Sequence, residues 1–405
     1  MEKRIIAKTV SNSKSLAPQL TDDGIVYNIR YPFDLQGKTV TLPQNCVLSF
    51  KTGGSLSNGT IVGQNSRIIA DDKIFDNITI EGTWNCTGNV GWYATGCETY
   101  NKGDKCYLRN HKDETKAIQL ALDSTFGELN FPSVPFYITN TLVLRKAKKL
   151  VMQGCSMVSP LGNCQPNING SCIIFTDKDF SLLRIAVKEG DQYSQNIVAI
   201  KGGNFDVSIC ENYTSNAIEV LSNDNERIWG LYIETNINGK YNSMTGVGIN
   251  VNPIENKEMT GNKAYITHVR INSMIQNFGI GVKATNYMCY NPFAYYNWCT
   301  DLVVCGLIKN CPTAVDSNVE YTDIRATLQP GSYFGQKENG KPLVIYSGDK
   351  MVISSPVFDL ESYNGIKWTN QYALYVTIPN AAVSMNGSFD AFVRLSKMNG
   401  KNPIK

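Results

Sequence analysis

The sequence predicts an all-β chain: a single-stranded right-handed parallel β-helix, or solenoid, with a short N-terminal capping helix and a small N-terminal β region. Three observations carry that expectation. Segments repeat at a 33-residue step, apolar residues alternate over short runs between Gly/Asn turns, and the composition suits strands better than long helices. Charged residues make up 18% of the 405, below the usual quarter. Gly, Asn, Ser and Thr are plentiful instead, whereas helices draw on Ala, Leu, Glu and Lys.

The repeat is clearest when VRINSMIQNFGIGVKA (269–284) is laid over LVVCGLIKNCPTAVDS (302–317). Val269/Leu302, Ile271/Val304, Met274/Leu307, Ile275/Ile308, Asn277/Asn310 and Val282/Val315 then coincide. GVGINV (246–251) falls on GIGVKA at the same offset, and GGNFDV, IWGLYIETN and PVFDLESYNGIKW are looser echoes. A repeat of this size with β-branched residues and Gly/Asn turns reads as one solenoid coil. Each coil buries its inward side chains and stacks on the next at ~4.8 Å. Asn277 and Asn310 are expected to form part of an Asn ladder at a turn.

Three zones follow. Residues 1–90 alternate over short runs (Val40, Leu42; Val47, Leu48, Phe50; Ile61, Val62; Ile68, Ile69; Ile78, Ile80) between turns, which leaves a small solenoid or a sandwich open. Residues 91–127 hold a linker and the one expected helix. Asp113 is its N-cap, Ala117, Ile118, Leu120, Ala121 and Leu122 form its apolar face, and it ends near Gly127. Residues 128–400 return to strands and form the β-helix.

The second zone carries a resemblance. Asp-x-Thr-x-Ala-Ile-Gln-x-Ala-Leu (113–122), Gly-Glu-Leu-x-Phe-Pro (127–132), Tyr-Ile-Thr-x-Thr-Leu (137–142) and Leu-x-Met-x-Gly (150–154) resemble the N-terminal signature of pectate-lyase-like β-helices. Preceded by GTW and GWYA, the segment resembles phage tail-spike proteins of Bacteroidetes phages and prophages. The resemblance implies that the helix caps the first coil against edge pairing, with Asp113 and Thr115 as structural cap residues. It also implies a homotrimer, an N-terminal attachment or collar region, and a virion tail location, with phage tail or baseplate proteins as partners. The partner implied outside the particle is a bacterial surface polysaccharide, which such a protein binds or depolymerises. A free polysaccharide lyase or glycoside hydrolase of a gut bacterium, secreted or at the cell surface, and a non-catalytic structural virion protein stay open beside it.

Several classes are excluded or disfavoured. A net charge of +3 is too small to argue for nucleic acid, and Arg145–Lys149 (RKAKK) reads as a solvated turn. No stretch approaches the ~20 apolar residues of a membrane span, and the N-terminus lacks the apolar core of a secretory signal. Twelve cysteines with no CxxC pair and two histidines argue against structural zinc. They read as reduced thiols, several of them buried, with Cys97/Cys106 and Cys155/Cys164 the pairs best placed for a disulfide. No cofactor and no metal site is expected. Polygalacturonase elements, P-loop, dinucleotide fingerprint and GxSxG elbow are missing from the sequence. Glu219, Asp224, Glu226 and Glu234 are only vaguely spaced for a calcium lyase.

Two constellations remain. If 33 residues make one coil, His268 lies beside Asp301 and Lys283 beside Asp316. With Val269 and Ile271 inward, His268 and Arg270 point outward on the same sheet as Asp301. An imidazole, a guanidinium and a carboxylate then share one exposed face, able to hold an acidic sugar or to serve in acid–base catalysis. The bland alternative is a cross-strand ion pair. The loops leaving these coils differ: 252–263 carries Glu255 and Glu258, and 286–299 carries Tyr290, Tyr295, Tyr296 and Trp298. Stacked, they would form a glycan groove of aromatic faces and carboxylates or a contact with a neighbouring subunit.

Overall fold

The computed structural model describes residues 6–102, 105–154, 170–187, 197–221, 227–241, 243, 245–251, 265–285, 298–329 and 343, with six short strands between 338 and 376. One hairpin, Thr99–Lys102 with Lys105–Leu108, is antiparallel. Every other pairing among the described residues is parallel, on both sides of that hairpin.

From residue 128 the chain winds over three faces in a fixed order. Face one stacks Lys149–Met152, 198–201, 231–233, 269–271, 302–304 and 322–324. Face two stacks Pro135–Tyr137, Ile173–Phe175, 204–206, 236–238, 274–276 and 307–309. Face three stacks Leu142–Leu144, Leu183–Ile185, 218–220, 249–251, 282–284 and 315–317. This is a parallel β-helix. Each face supplies one apolar file to the interior, because side chains alternate in and out along a strand. The files are Leu150–Ile200–Ile233–Ile271–Val304–Ile324, Ile174–Phe205–Ile237–Ile275–Ile308–Leu328 and Leu183–Ile218–Ile249–Val282–Val315–Val344, all essentially solvent-free. Burying one such side chain contributes about 1.5–3 kcal/mol.

The 33-residue step holds for Val198/Leu231, Val269/Leu302 and Val282/Val315. It becomes 38 for Leu231/Val269 and 20 for Thr300/Glu320. Coil length varies in the connections: the 38-residue coil is longer between faces two and three, Ile237 to Ile249 against Ile275 to Val282, whereas the 20-residue coil is shortened between faces three and one, Val315 to Ile324 against Val282 to Val304. Corners are fixed more tightly. Between faces one and two, Gly306 has φ +87° and a Cβ there would lie 2.4 Å from the Ser273 carbonyl oxygen, so only glycine fits. Between faces two and three, Asn277 (φ 65°) and Asn310 (φ 54°) take left-handed backbone, and Asn310 Nδ2 donates to Asn277 Oδ1 at 3.0 Å. The expected ladder is there.

The first zone is also a parallel solenoid, which decides against a sandwich. Val26 pairs with Val47, Val47 with Arg67, and Leu56 with Phe75, giving coils of 19–21 residues. Two more Asn ladders mark its corners: Asn65 Nδ2 to Asn45 Oδ1 at 2.6 Å, and Asn77 Nδ2 to Asn58 Oδ1 at 3.2 Å.

Helix α1 (Thr115–Asp123) joins the two bodies rather than closing one of them. Its buried Ile118, Ala121 and Leu122 pack between the strand Phe75–Trp84 and the strand Leu142–Leu144, and one hydrophobic core runs from Val10 to Val344. The N-cap position is Glu114, not Asp113. Asp113 acts one residue earlier: Oδ1 accepts the Thr115 N–H at 3.0 Å and Oδ2 accepts the Thr139 hydroxyl at 2.7 Å. Thr115 Oγ1 in turn accepts the Thr139 N–H at 2.8 Å, so Asp113 and Thr115 tie the helix start to the first large coil. Partial burial pushes the Asp113 carboxyl up, but these hydrogen bonds outweigh it and hold it below its ordinary value. The helix stops at Asp123, short of Gly127, because Ser124 is extended (ψ 164°).

The hairpin bears on the cysteines. Its register sets Cys106 opposite Asn101, about four residues or ~13 Å along the ribbon from Cys97, well beyond the ~7 Å Cα reach of a disulfide. Both thiols are free and buried against Tyr137, Ile173 and Phe175. Cys155 and Cys164 lie outside the described residues. Burial pushes the Cys299 and Cys311 thiols up to about 12, so they pack as apolar groups.

Lys148 sits under the end of α1, 3% exposed, donating to the Ser124 and Phe126 carbonyls at 2.5 Å each. Burial, then the neighbouring Lys146, push its ammonium down to about 8 against the opposing pull of Asp123. An unfolded lysine titrates near ~10.4, so between those values the unfolded chain holds more protons and stability rises with pH. Urea midpoints from pH 8 to 10 should therefore climb more steeply in the native chain than in Lys148→Met, the integrated difference being roughly 2–3 kcal/mol. Parallel profiles would remove the buried ammonium.

The corner ladder has its own test. Asn310→Gly loses the amide bond but keeps the backbone, whereas Asn310→Ala loses both. Ala should be the less stable of the two by about 1 kcal/mol in chemical denaturation, and equal losses would show that φ at this corner is not a constraint.

Candidate functional site

The outward surface of face one gathers the exposed chemistry. Thr267 pairs with Thr300 and Val269 with Leu302, which sets His268 opposite Asp301; Thr300 pairs with Glu320 and Leu302 with Thr322, which sets Asp301 opposite Tyr321. Arg270 Nη2 donates to Asp301 Oδ2 at 2.8 Å and Nη1 to the Asp301 carbonyl at 2.9 Å. His268 Nε2 stands 3.9 Å from the same Oδ2, and its Nδ1 shares a 3.1 Å hydrogen bond with the buried Thr267 hydroxyl. Sequence reasoning placed His268, Arg270 and Asp301 together on one face, and the structure brings them together. His268 and Asp301 both have left-handed backbone (φ 56° and 58°).

Aromatic side chains frame this group. Tyr232 is the strand partner of Arg270, Trp229 lies three residues before it, and Tyr321 is beside Asp301. Their exposures are 45%, 39% and 45%, high for large rings. One strand further, Asp323 pairs with Arg325 at 2.6 Å. The face is thus rich in hydrogen-bonding groups and rings, while each of these carboxylates has a guanidinium beside it. Its local charge is balanced.

These aromatics escaped the sequence reading. The signal for Trp229 and Tyr232 was present in IWGLYIETN: Ile228, Leu231 and Ile233 are buried, so the residues between them face out. Tyr321 was hidden because its coil is shortened to 20 residues, which takes it out of a 33-residue alignment.

The loop candidates stand differently. Glu255, Glu258, Tyr290, Tyr295 and Tyr296 lie outside the described residues, and Trp298 is described as a backbone position opposite Tyr265. The stems are stacked: Val251, Ala284 and Ser317 end successive strands of face three, and Tyr265 and Trp298 open successive strands of face one. Both loops therefore leave the same corner, three residues from His268 and Asp301. Lys283 and Asp316 are strand partners on the other side of that corner. Partial burial pushes the Asp316 carboxyl up against the pull of Lys283.

The calcium-lyase carboxylates do not assemble. Glu219 is on face three, bonded to Arg184 at 3.0 Å, while Glu234 is on face one opposite Lys201. Asp224 and Glu226 lie outside the described residues. Among the described residues no three His, Cys, Asp or Glu side chains gather as a metal site, and no helix is long and apolar enough to cross a membrane.

No protein-family model, no curated protein and no solved structure matches the chain. The parallel β-helix follows from the strand pairing itself.

Half-exposed as it is, the Arg270–Asp301 pair should couple weakly. A double-mutant cycle with Arg270→Ala and Asp301→Ala, read by chemical denaturation, should give at most ~1 kcal/mol and less in 1 M salt. A salt-insensitive coupling of several kcal/mol would make the pair part of the scaffold instead of the surface chemistry.

Proposed function

We propose that this chain is a spike- or fibre-type β-helix that grips a bacterial surface polysaccharide on face one. The observation that carries the reading is the surface around Arg270 and Asp301: three exposed rings beside a network of charged hydrogen-bonding groups with little net charge. Sugars offer apolar C–H faces ringed by hydroxyls. Rings take the first, and paired carboxylates and guanidiniums take the second without needing a charged ligand. Nucleic acid would call for a positive field, which this face lacks. The tail-spike resemblance of the 113–154 segment supports the same reading and extends it to a homotrimer in the virion tail, with the first solenoid as the attachment or collar region.

Asp301 and Asp323, on neighbouring strands of the same face, favour a second reading in which the bound glycan is also cleaved. Two carboxylates flanking a glycosidic bond are the usual machinery of its hydrolysis.

Purified bacterial capsular and O-antigen polysaccharides arrayed on a surface test the first reading. The full chain should be retained by at least one of them, and Trp229→Ala with Tyr232→Ala should weaken retention about tenfold or more, which corresponds to ~1.4 kcal/mol. Retention by none, or full retention by the double variant, would overturn the assignment to this face. Release of reducing ends that is lost in Asp301→Asn or Asp323→Asn would establish the second reading.

A further inference from the structure

The ion pair at the centre of face one orients a carboxylate and leaves half of it free. Arg270 Nη1 donates to the carbonyls of Val269 and Asp301 at 3.1 and 2.9 Å, and Nη2 donates to Asp301 Oδ2 at 2.8 Å. These three bonds from one planar fork hold guanidinium and carboxylate in a single arrangement. Asp301 Oδ1 meets no hydrogen-bond donor among the described residues, and the side chain is 33% exposed. Asp323, the other aspartate of this face, is only 16% exposed and gives its Oδ2 to Arg325. A carboxylate accepts at about four lone-pair sites, so Asp301 has room for further donors on both oxygens.

His268 is held beside it. The buried Thr267 hydroxyl meets His268 Nδ1 at 3.1 Å, and Nε2 stands 3.9 Å from Asp301 Oδ2. That gap is too wide for a direct hydrogen bond. It fits one oxygen placed between the two atoms, about 2.8 Å from each. An aromatic ring adjoins the gap. Leu231 pairs with Val269, so Gly230 is opposite His268. A Cβ at Gly230 would come 3.0 Å from Tyr232 Cε2, so the Tyr232 ring leans over the bare glycine, on the strand position next to His268.

We infer that Asp301 and His268 clasp two adjacent hydroxyls of one pyranose, whose C–H face rests on the Tyr232 ring. The first hydroxyl sits in the gap, donating to Asp301 Oδ2 and accepting from Nε2–H. This is the neutral tautomer in which the Thr267 hydroxyl donates to Nδ1. The neighbouring hydroxyl of the sugar, ~2.8 Å from the first, as far as a hydrogen bond is long, donates to Oδ1. Two parallel bonds to an oriented carboxylate read the pair of hydroxyls together. The clasp rests on the glycan reading above and narrows it to chains holding a pyranose with two adjacent free hydroxyls. Linkage then decides the ligand: a 4-linked hexopyranose keeps O2 and O3 free side by side, whereas a 3-linked one keeps no two neighbours.

Polysaccharides of known linkage on the array, with 3-linked homoglycans added, give the first readout. Every chain that is retained should hold a pyranose with two adjacent free hydroxyls, and homoglycans that are 3-linked throughout should be passed over. Retention of one of these overturns the clasp. Two full-length variants give the second readout, and both keep residues suited to the left-handed backbone at these positions (φ 58° and 56°). Asp301→Asn exchanges an acceptor oxygen for a donor and should weaken retention about tenfold or more. His268→Asn withdraws the ring nitrogen from the gap and should weaken retention about threefold to tenfold. Because the His268 side chain is 60% exposed, the melting midpoint of His268→Asn should stay native, and it alone decides if Asp301→Asn melts lower. Native retention by either variant overturns the clasp and leaves the grip of Trp229 and Tyr232 standing. If the native chain is retained by no polysaccharide, the glycan reading fails and the clasp with it.

Discussion

Parallel hydrogen bonding between successive coils is the constraint from which the rest of this molecule follows. In a parallel ladder each strand must keep register with the one below it, or its whole inward file would turn outward. The files of Ile233–Ile271–Val304 and Ile237–Ile275–Ile308 therefore bind the chain to a cross-section, not to a period. What varies is the connections, between faces two and three as well as from face three to face one, where coils add or drop residues while the inward files stay aligned. Because the ladder continues on the outer surface, it also fixes which exposed side chains meet. His268 and Asp301 are neighbours for the same reason that Val269 and Leu302 are.

The junction at α1 shows how a second solenoid of different coil length can be joined to the first. The helix fills the junction with Ile118, Ala121 and Leu122, facing the last small coil on one side and the first large coil on the other. Its polar ends are satisfied by the large coil: Asp113 and Thr115 bond to Thr139, and Lys148 reaches the carbonyls of Ser124 and Phe126. A single core results, so the helix works as a coupling between two bodies where the family resemblance implied a terminal cap.

Much of this architecture was legible from residues. The overlay of 269–284 on 302–317 works because neither coil carries an insertion inside its strands, and it correctly paired Asn277 with Asn310 and His268 with Asp301. The same overlay could not find Tyr321, since its coil drops most of the connection and shifts the offset to 20. The helix cap was misplaced by one residue because Asp113 and Glu114 are adjacent carboxylates, and only tertiary contacts decide between them. Glu114 is drawn inward by Lys112 at 2.8 Å and by the Thr95 hydroxyl, which leaves Asp113 to bond outward to Thr139. Pairing Cys97 with Cys106 failed for a similar reason: proximity in sequence says nothing about a ribbon that carries the two thiols apart along its length.

Function was less legible than fold because a solenoid separates the two so cleanly. Inward positions answer to packing and repeat from coil to coil, so they advertise themselves. Outward positions answer to whatever the surface meets, and they repeat only where a ligand or a neighbour does. The exposed column of face one departs from repetition in a particular way. It keeps the left-handed backbone of an Asn ladder and discards the asparagines, placing His, Asp and Tyr in their stead. What singles out this surface is the gathering of exposed rings and paired charges, Trp229 and Tyr232 beside Arg270 and Asp301.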